Sequence, residues 1–256
     1  MNEFLETAIE AARRGGDVLQ SWRSRFTVSE KSPANLVTEA DLASQTAIHS
    51  LIGERFPDHG FLGEEGLNEV GGQTGYRWVI DPLDGTSNYV HGFPYYAVSI
   101  ALQKDDELIV GVVFDPNRDE MFTAVKGGGA HLNGEPISTS GVSELREAMA
   151  VASLPIAAKP DNPAIARFLL IMQHAQTVQR TGSAALNLVY VACGRIETFW
   201  STSLKPWDVA AGALIVAEAS GRVSTIHGQP IRIEDSDILT SNGAGIHDEL
   251  VKLFES

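Results

Sequence analysis

Of four apolar runs between residues 76 and 125 the last three follow one another with short breaks, and that spacing restricts the fold more than any other feature. The runs are YRWVID (76–81), YAVSIALQ (96–103), ELIVGVVFD (107–115) and EMFTAV (120–125). Lys104-Asp105-Asp106 divides the second from the third, and Asn117-Arg118-Asp119 the third from the fourth. Breaks of this length reverse a chain between neighbouring strands but cannot house a crossover helix. The spacing therefore predicts an antiparallel meander. A shorter run, FLG (61–63), precedes it, and Gly127-Gly128-Gly129 and Asn133-Gly134 mark further tight turns.

Helical spacing dominates on either side. Phe4, Ala8, Ala12, Gly15, Leu19 and Trp22 lie on one face of a helix over 4–22. A second helix is expected from Thr38 to about Phe56, with Ile48, Leu51, Ile52 and Phe56 turned inward and Pro57 stopping it. Beyond about residue 140 strands and helices alternate. Strands are expected at 148–154, 177–180, 197–200, 222–226 and 237–241, and helices at 163–175, 183–194, 206–220 and the C-terminus. Gly221 is the expected left-handed residue closing the helix before it. The class is α/β, with an α+β half over 1–140 built on an antiparallel sheet and an α/β half over 141–256 built on a mixed sheet.

Acids outnumber bases 33 to 19, a formal net charge of −14. Such a chain repels nucleic acid and anionic lipid at long range. It also repels phosphorylated substrates unless bound cations reverse the local field. No apolar run reaches the roughly 18–20 residues that span a bilayer. The acidic N-terminal stretch lacks the apolar core of a signal peptide, so the expected compartment is the cytoplasm. The one cysteine, Cys193, excludes an internal disulfide and is expected in the core.

The stretch DPLDGTSNY (81–89) carries the sharpest chemical signal. Trp78, Val79 and Ile80 deliver Asp81 to the end of a strand. Pro82 fixes φ and turns the chain, so Asp84 returns to the side of Asp81. The Leu83 carbonyl can point at the same place. Oxygen-only ligation suits Mg²⁺, Mn²⁺ or Ca²⁺ and disfavours Zn²⁺. Gly85, Thr86, Ser87 and Asn88 then open a helix whose free N–H groups suit phosphate. The same letters also spell a surface turn. Glu64 ends the FLG run and reads as a ligand or as exposed charge. Asp208, after Pro206 and Trp207, reads as an anchored carboxylate or as a first-turn acid favoured by the helix macrodipole. Asp41 stands three residues after Thr38, a capping-box spacing, and reads as a cap or as a catalytic acid. There is no G-x-S-x-G elbow, P-loop or H-E-x-x-H motif.

FLGEE (61–65), WVIDPLDGTSNYVHGFPYYAVSIAL (78–102) and PWDVAAGALIVAEASG (206–221) resemble the inositol monophosphatase family of Mg²⁺-dependent, Li⁺-sensitive phosphatases. KSPANLVTEAD (31–41) and RTGSAALNLVYVACG (180–194) resemble further segments of it, in the family's order. The resemblance implies a layered α/β/α/β/α sandwich and a homodimer. It implies two or three Mg²⁺ ions on Glu64, Asp81, the Leu83 carbonyl, Asp84 and Asp208. It gives Glu64 and Thr86, the latter oriented by Asp41, the task of positioning the attacking water. Substrate contacts fall on Asp84, Gly85, Thr86, Ser87, Gly182, Ser183, Ala184 and Asp208. Lys31 matches a basic residue near the phosphate, in a segment one residue shorter here.

The implied activity is hydrolysis of small phosphomonoesters. Relatives use inositol phosphates, histidinol phosphate, fructose 1,6-bisphosphate and phosphoadenosine phosphate. A metal-dependent protein-binding regulator is the alternative of another class, because a bacterial relative acts with the transcription machinery. One departure bears on specificity. Inositol-specific members carry a Glu seven residues before the Asp of the WD motif, and here that position is Ser201. Glu197 is the candidate to replace it. Trp200 and Trp207 are candidates to wall the leaving group, with Trp207 the more expected of the two in the core.

Overall fold

The computed structural model describes residues 2–23, 27–32, 35–71, 74–156, 158–243 and 245–255, with residue 2 and residues 30–37 described by their backbone alone. Helix α1 (Asn2–Trp22) leads through strands β1 (Val28–Ser32) and β2 (Asn35–Thr38) into α2 (Glu39–Arg55). Strands β3 (Gly60–Gly63), β4 (Asn68–Glu69) and β5 (Tyr76–Asp84) precede the short helix α3 (Thr86–Val90). Five strands follow: β6 (Ala97–Lys104), β7 (Glu107–Asp115), β8 (Glu120–Val125), β9 (Ala130–Leu132) and β10 (Glu135–Ile137). The rest runs β11 (Met149–Ala152), α4 (Pro163–Ile171), β12 (Thr177–Gln179), α5 (Ala184–Ala192), β13 (Thr198–Ser201), α6 (Pro206–Glu218), β14 (Arg222–Ser224), β15 (Ile238–Ser241) and α7 (Ile246–Glu255).

Among the described residues the larger sheet has the order β10-β9-β8-β7-β6-β5-β3-β4, and the smaller one β12-β11-β13-β15-β14. Strands β5 to β10 form the expected antiparallel meander. The sheet is not antiparallel throughout, because β3 runs parallel to β5, with Phe61 opposite Trp78. The two-residue β4 pairs back along the outer edge of β3, so the chain re-enters on the other side in the direction of β3. The smaller sheet is mixed as expected: β11 is parallel to β12 and β13, and β15 is antiparallel to β13 and β14.

Alternation along the strands sorts the core into layers. Trp78 and Ile80 of β5, with Val112 and Phe114 of β7, pack on Ala8 and Leu19 of α1 and Ile48 and Ile52 of α2. Val79 and Val113 face the other way, onto Leu188 of α5 and Ile215 of α6. Those helices are covered from beyond by Val151, Phe199 and Ile238 of the smaller sheet. Its outer face carries Trp200 and Leu239 against Leu250 and Phe254 of α7 and Ile171 of α4. The result is the α/β/α/β/α sandwich. It explains why α5 and α6 are apolar all round, since a helix between two sheets has no solvent face. Truncating a fully buried residue there, Ile215→Ala, costs about 2–5 kcal/mol.

One helix end differs from expectation. Helix α6 ends at Glu218 with Ala219 as its cap, and the left-handed residue that follows is Ser220, at φ 68°, not Gly221. Gly221 is small for a different reason: a Cβ there would lie 2.6 Å from Val216 and 2.9 Å from the Ser241 carbonyl.

Candidate active site

In a regular strand residues i and i+3 point to opposite faces. Asp81 and Asp84 escape that rule because the pairing of β5 with β6 shifts register between them, from Asp81 opposite Ser99 to Asp84 opposite Ala97. Pro82 lies inside this bulge, where its missing N–H costs no ladder bond. The extra residue turns both carboxylates the same way. Asp208, in the first turn of α6, comes from across the molecule to complete a trio whose oxygens lie within 4.8 Å of one another. Each carboxylate has its own tether. Asp81 Oδ1 accepts from Leu83 N at 3.0 Å, and Asp208 Oδ2 accepts from Lys205 N at 2.7 Å. Asp84 accepts from Ala184 N at 3.2 Å, from Ala185 N at 2.8 Å and from the Ser183 hydroxyl.

The crowding shows in the acidities. Burial, reinforced by the charges of Glu64, Asp84 and Asp208, holds the Asp81 carboxyl well above the usual range. Burial raises Asp84 to about 6 against the opposing bonds from Ser183, Ala185 and Ala184. Burial and then the Asp84 charge raise Asp208 to about 8. Acids so placed need protons or cations to coexist. The donors are oxygens only, a set that fits a hard divalent cation.

Asp41 caps α2 and also reaches Thr86. Its Oδ2 accepts from Thr38 N at 2.8 Å and from the Thr38 hydroxyl at 2.5 Å, closing the capping box of α2. Its Oδ1 lies 3.3 Å from the Thr86 hydroxyl, which is also 3.2 Å from the Leu83 carbonyl. Over these groups opens a cleft of about 810 Å³. Glu64, Asp84 and Asp208 line it at the acidic end, beside Gly85, Thr86 and Ser87.

The profile of the inositol monophosphatase family matches residues 1–256. The chain is 40% identical to inositol monophosphatase 2 of Solanum lycopersicum over 87% of each sequence. It is 39% identical to the Nus factor SuhB of Pseudomonas aeruginosa over 94% of this chain and 92% of that one. The solved extragenic suppressor protein suhB of Bartonella henselae superposes with a TM-score of 0.95 at 32% identity, over 99% of both chains. The chain belongs to the inositol monophosphatase family. The expected enzyme class, phosphoric monoester hydrolase, is that of the family's curated inositol-1-monophosphatases.

Set against the family pattern, most of the expected site residues meet at this cleft, and four do something else. Ser183 is fully buried, caps α5 by accepting from Leu186 N, and gives its hydroxyl to Asp84 and not to the cleft. Glu197 cannot replace the missing glutamate: its carboxylate accepts from Ser140 Oγ at 2.9 Å and Met149 N at 2.7 Å, away from the cleft. The two tryptophans exchange roles. Trp200 packs in the outer core against Phe254, whereas Trp207 is only partly buried and lines the cleft. Ser201 is fully buried at the end of β13 opposite Ile238, and its Oγ has no partner. Lys31 lies in β1, and its side chain falls outside the described residues. Motif reading missed the far wall, made by Ser153, Leu154 and Ile156 after β11, Arg180 and Thr181 before α5, and Ser203 to Lys205 before α6. It read Asn88 only as part of a helix start, and missed that its side-chain amide bridges the Tyr95 and Thr181 carbonyls.

Proposed function

We propose that this chain hydrolyses phosphate monoesters of small metabolites with Mg²⁺ held by Asp81, Asp84 and Asp208, joined by Glu64 and the Leu83 carbonyl. The observation that carries the reading is the carboxylate trio, with Asp81 and Asp84 buried and Asp208 half-buried, beside a cleft of about 810 Å³, room for a phosphorylated metabolite. Two or three Mg²⁺ ions bound there would supply positive charge for the phosphoryl oxygens and make a water more acidic. The protein's own groups do the positioning. With its proton directed to Asp41, the Thr86 oxygen is left to accept a hydrogen bond from the attacking water. Glu64 takes the other proton of that water as the water oxygen bonds to phosphorus, the ester P–O bond breaks and the departing alkoxide takes a proton from solvent. The first N–H groups of α3, around Gly85 to Ser87, have no intrahelical partner and face the phosphoryl oxygens. Gly182 and Ala184 bound the leaving group from the opposite wall. In this division residues 1–140 supply Asp41, Glu64, Asp81, Asp84 and Thr86, and residues 141–256 supply Asp208 and the leaving-group wall. The same reading takes the enzyme as a cytoplasmic homodimer, consistent with its acid excess and with no described helix long and apolar enough to cross a membrane.

Specificity is relaxed in this reading. With Ser201 in place of a glutamate and Glu197 turned away, neither position offers the polyol the carboxylate that inositol-specific members carry there. Losing such a charged bond costs about 1.5–3 kcal/mol, or about ten- to a hundredfold. Inositol 1-phosphate is then one substrate among several, with histidinol phosphate and fructose 1,6-bisphosphate as rivals. The 39% identity to a Nus factor supports a second reading, a metal-dependent protein-binding regulator. Phosphate release from a panel of these esters decides between them. Turnover should vanish in EDTA, return with Mg²⁺ and fall with Li⁺. Full activity in metal-stripped protein would overturn the mechanism, and no turnover under any condition would leave the regulator.

A further inference from the structure

Two asparagines outside the acid cluster bridge the same pair of residues from opposite ends. Asn88, in α3, donates one amide hydrogen to the Tyr95 carbonyl at 2.7 Å and the other to the Thr181 carbonyl at 2.8 Å. Both partners are acceptors, so the amide orientation follows from chemistry. Asn187, fully buried in α5, presents Oδ1 to the Tyr95 hydroxyl at 2.9 Å and to the Thr181 hydroxyl at 2.6 Å. Tyr95 and Thr181 are thus held at main chain by one asparagine and at side chain by the other.

The consequence falls on the turn that follows Thr181. Gly182 takes φ 92°, and a Cβ there would stand 2.9 Å from Asn88 Nδ2, so the turn rests directly on the Asn88 amide. One residue later Ser183 gives its hydroxyl to Asp84, and Ala184 and Ala185 add their N–H groups to the same carboxylate. Gly182 and Ala184 line the cleft. A turn displaced by even about 1 Å would move a cleft wall and three donors to Asp84 together, which is the scale at which misplacement costs about a hundredfold.

We propose that Asn88 is a positioning residue: with Asn187 it clamps Tyr95 and Thr181 and so fixes the turn at Gly182 against the cleft and the donors to Asp84. The kinetic part rests on the phosphatase reading above. The test uses the full-length enzyme and the variants Asn88→Ala, Gly182→Ala and the double variant, with Tyr95→Phe as a milder probe that removes one hydroxyl. In folded Asn88→Ala, kcat/KM for β-glycerophosphate with Mg²⁺ should fall at least tenfold, mostly through KM. Exchange of the Ala184 and Ala185 amides in metal-free protein should quicken at least tenfold. Gly182→Ala alone should lose a similar factor, because its Cβ strikes the Asn88 amide. Added to Asn88→Ala it should cost less than it costs alone, since the struck atom is gone and only the strain of a side chain at φ 92° remains. Tyr95→Phe should lose less than Asn88→Ala but in the same direction. A purely structural Asn88 would lower the melting temperature and leave these ratios alone. Normal kcat/KM with unchanged exchange in folded Asn88→Ala overturns the clamp, as do losses at 88 and 182 that simply multiply. If the wild-type protein hydrolyses no monoester, the phosphatase reading alone falls, and amide exchange still decides the clamp.

Discussion

Replacing Asp208 by Asn should stabilise the metal-free protein while ending its turnover. The Asp208 carboxyl rises from 3.8 to about 8 through burial and the charges of Asp84 and Glu64. A folded-state value above the unfolded one means that stability is full at low pH. It is lost as pH rises from about 3.8 to about 8, at about 1.4 kcal/mol per pH unit. At neutral pH that sets a ceiling of about 4 kcal/mol. Asp208 is partly open to the cleft, and the repulsion is shared with Asp81 and Asp84, so solvent screening and sharing reduce the figure to about 1–2 kcal/mol. Asparagine removes the charge but keeps an oxygen for Lys205 N, so the cap of α6 survives. Asp84→Asn is a poorer choice, because an amide cannot accept all three bonds that Asp84 receives. For a chain of this size 1 kcal/mol moves the melting temperature about 2–4 °C. Calorimetric melting in EDTA near pH 7 should therefore show Asp208→Asn melting about 2–8 °C above wild type, with the gap narrowing toward pH 5. Addition of Mg²⁺ should raise the wild-type protein and leave the variant nearly unmoved. A variant that melts below wild type in EDTA at neutral pH refutes the account of a charge-strained site.

Asp41→Asn keeps an acceptor for Thr38 but withdraws the negative charge that orients Thr86, so kcat should drop by about a hundredfold or more with at most about 1 kcal/mol lost in stability. Normal kinetics would return Asp41 to a capping role alone. His247 is buried between the Ser224 and Ser241 hydroxyls at 2.8 and 3.0 Å, and burial pushes it down from 6.5 to about 4. Its contribution is present above pH 6.5 and is lost as pH falls toward 4, by up to about 1.4 kcal/mol per unit. Urea unfolding of His247→Gln across that window should show a shallower loss, and parallel curves would remove His247 as the cause. Position 201 is fully buried, so Ser201→Glu should lower the melting temperature; in the folded variant kcat/KM for inositol 1-phosphate relative to β-glycerophosphate should rise about tenfold, and an unchanged ratio would show that position 201 does not govern the leaving group.

The Asp81–Asp84 part of the acidic cluster was legible because its geometry is local. Asp81, Pro82 and Asp84 build the bulge from consecutive letters, and the charged breaks around 104–106 and 117–119 announce the meander that carries it. Asp41 could not be settled from spacing because one of its oxygens caps α2 while the other meets Thr86, which lies 45 residues away in sequence. Trp200 was misread as the more exposed of the two tryptophans for a topological reason. Strand β13 lies inside a sheet with helices on both faces, so both faces of β13 are core, and no periodicity separates a core tryptophan from one at a cleft. Ser183 was misread because its partner Asp84 lies 99 residues away in sequence.

The far wall of the cleft differs in kind from the acid cluster. Three loops build it, after β11 and before α5 and α6, and each is ordinary in composition. Carboxylates that repel one another must be tethered and compensated, and those needs leave fixed letters at fixed spacing. A wall that only has to stand in the right place needs anchors instead, such as the Asn88 amide across 93 residues to Thr181. Anchors of that sort can be met by any residue with two donors at the right depth, so they leave no motif. The chemistry of such an enzyme is therefore written in its sequence more openly than its substrate, and position 201, where a charge would have named a polyol, here holds a buried hydroxyl with no partner.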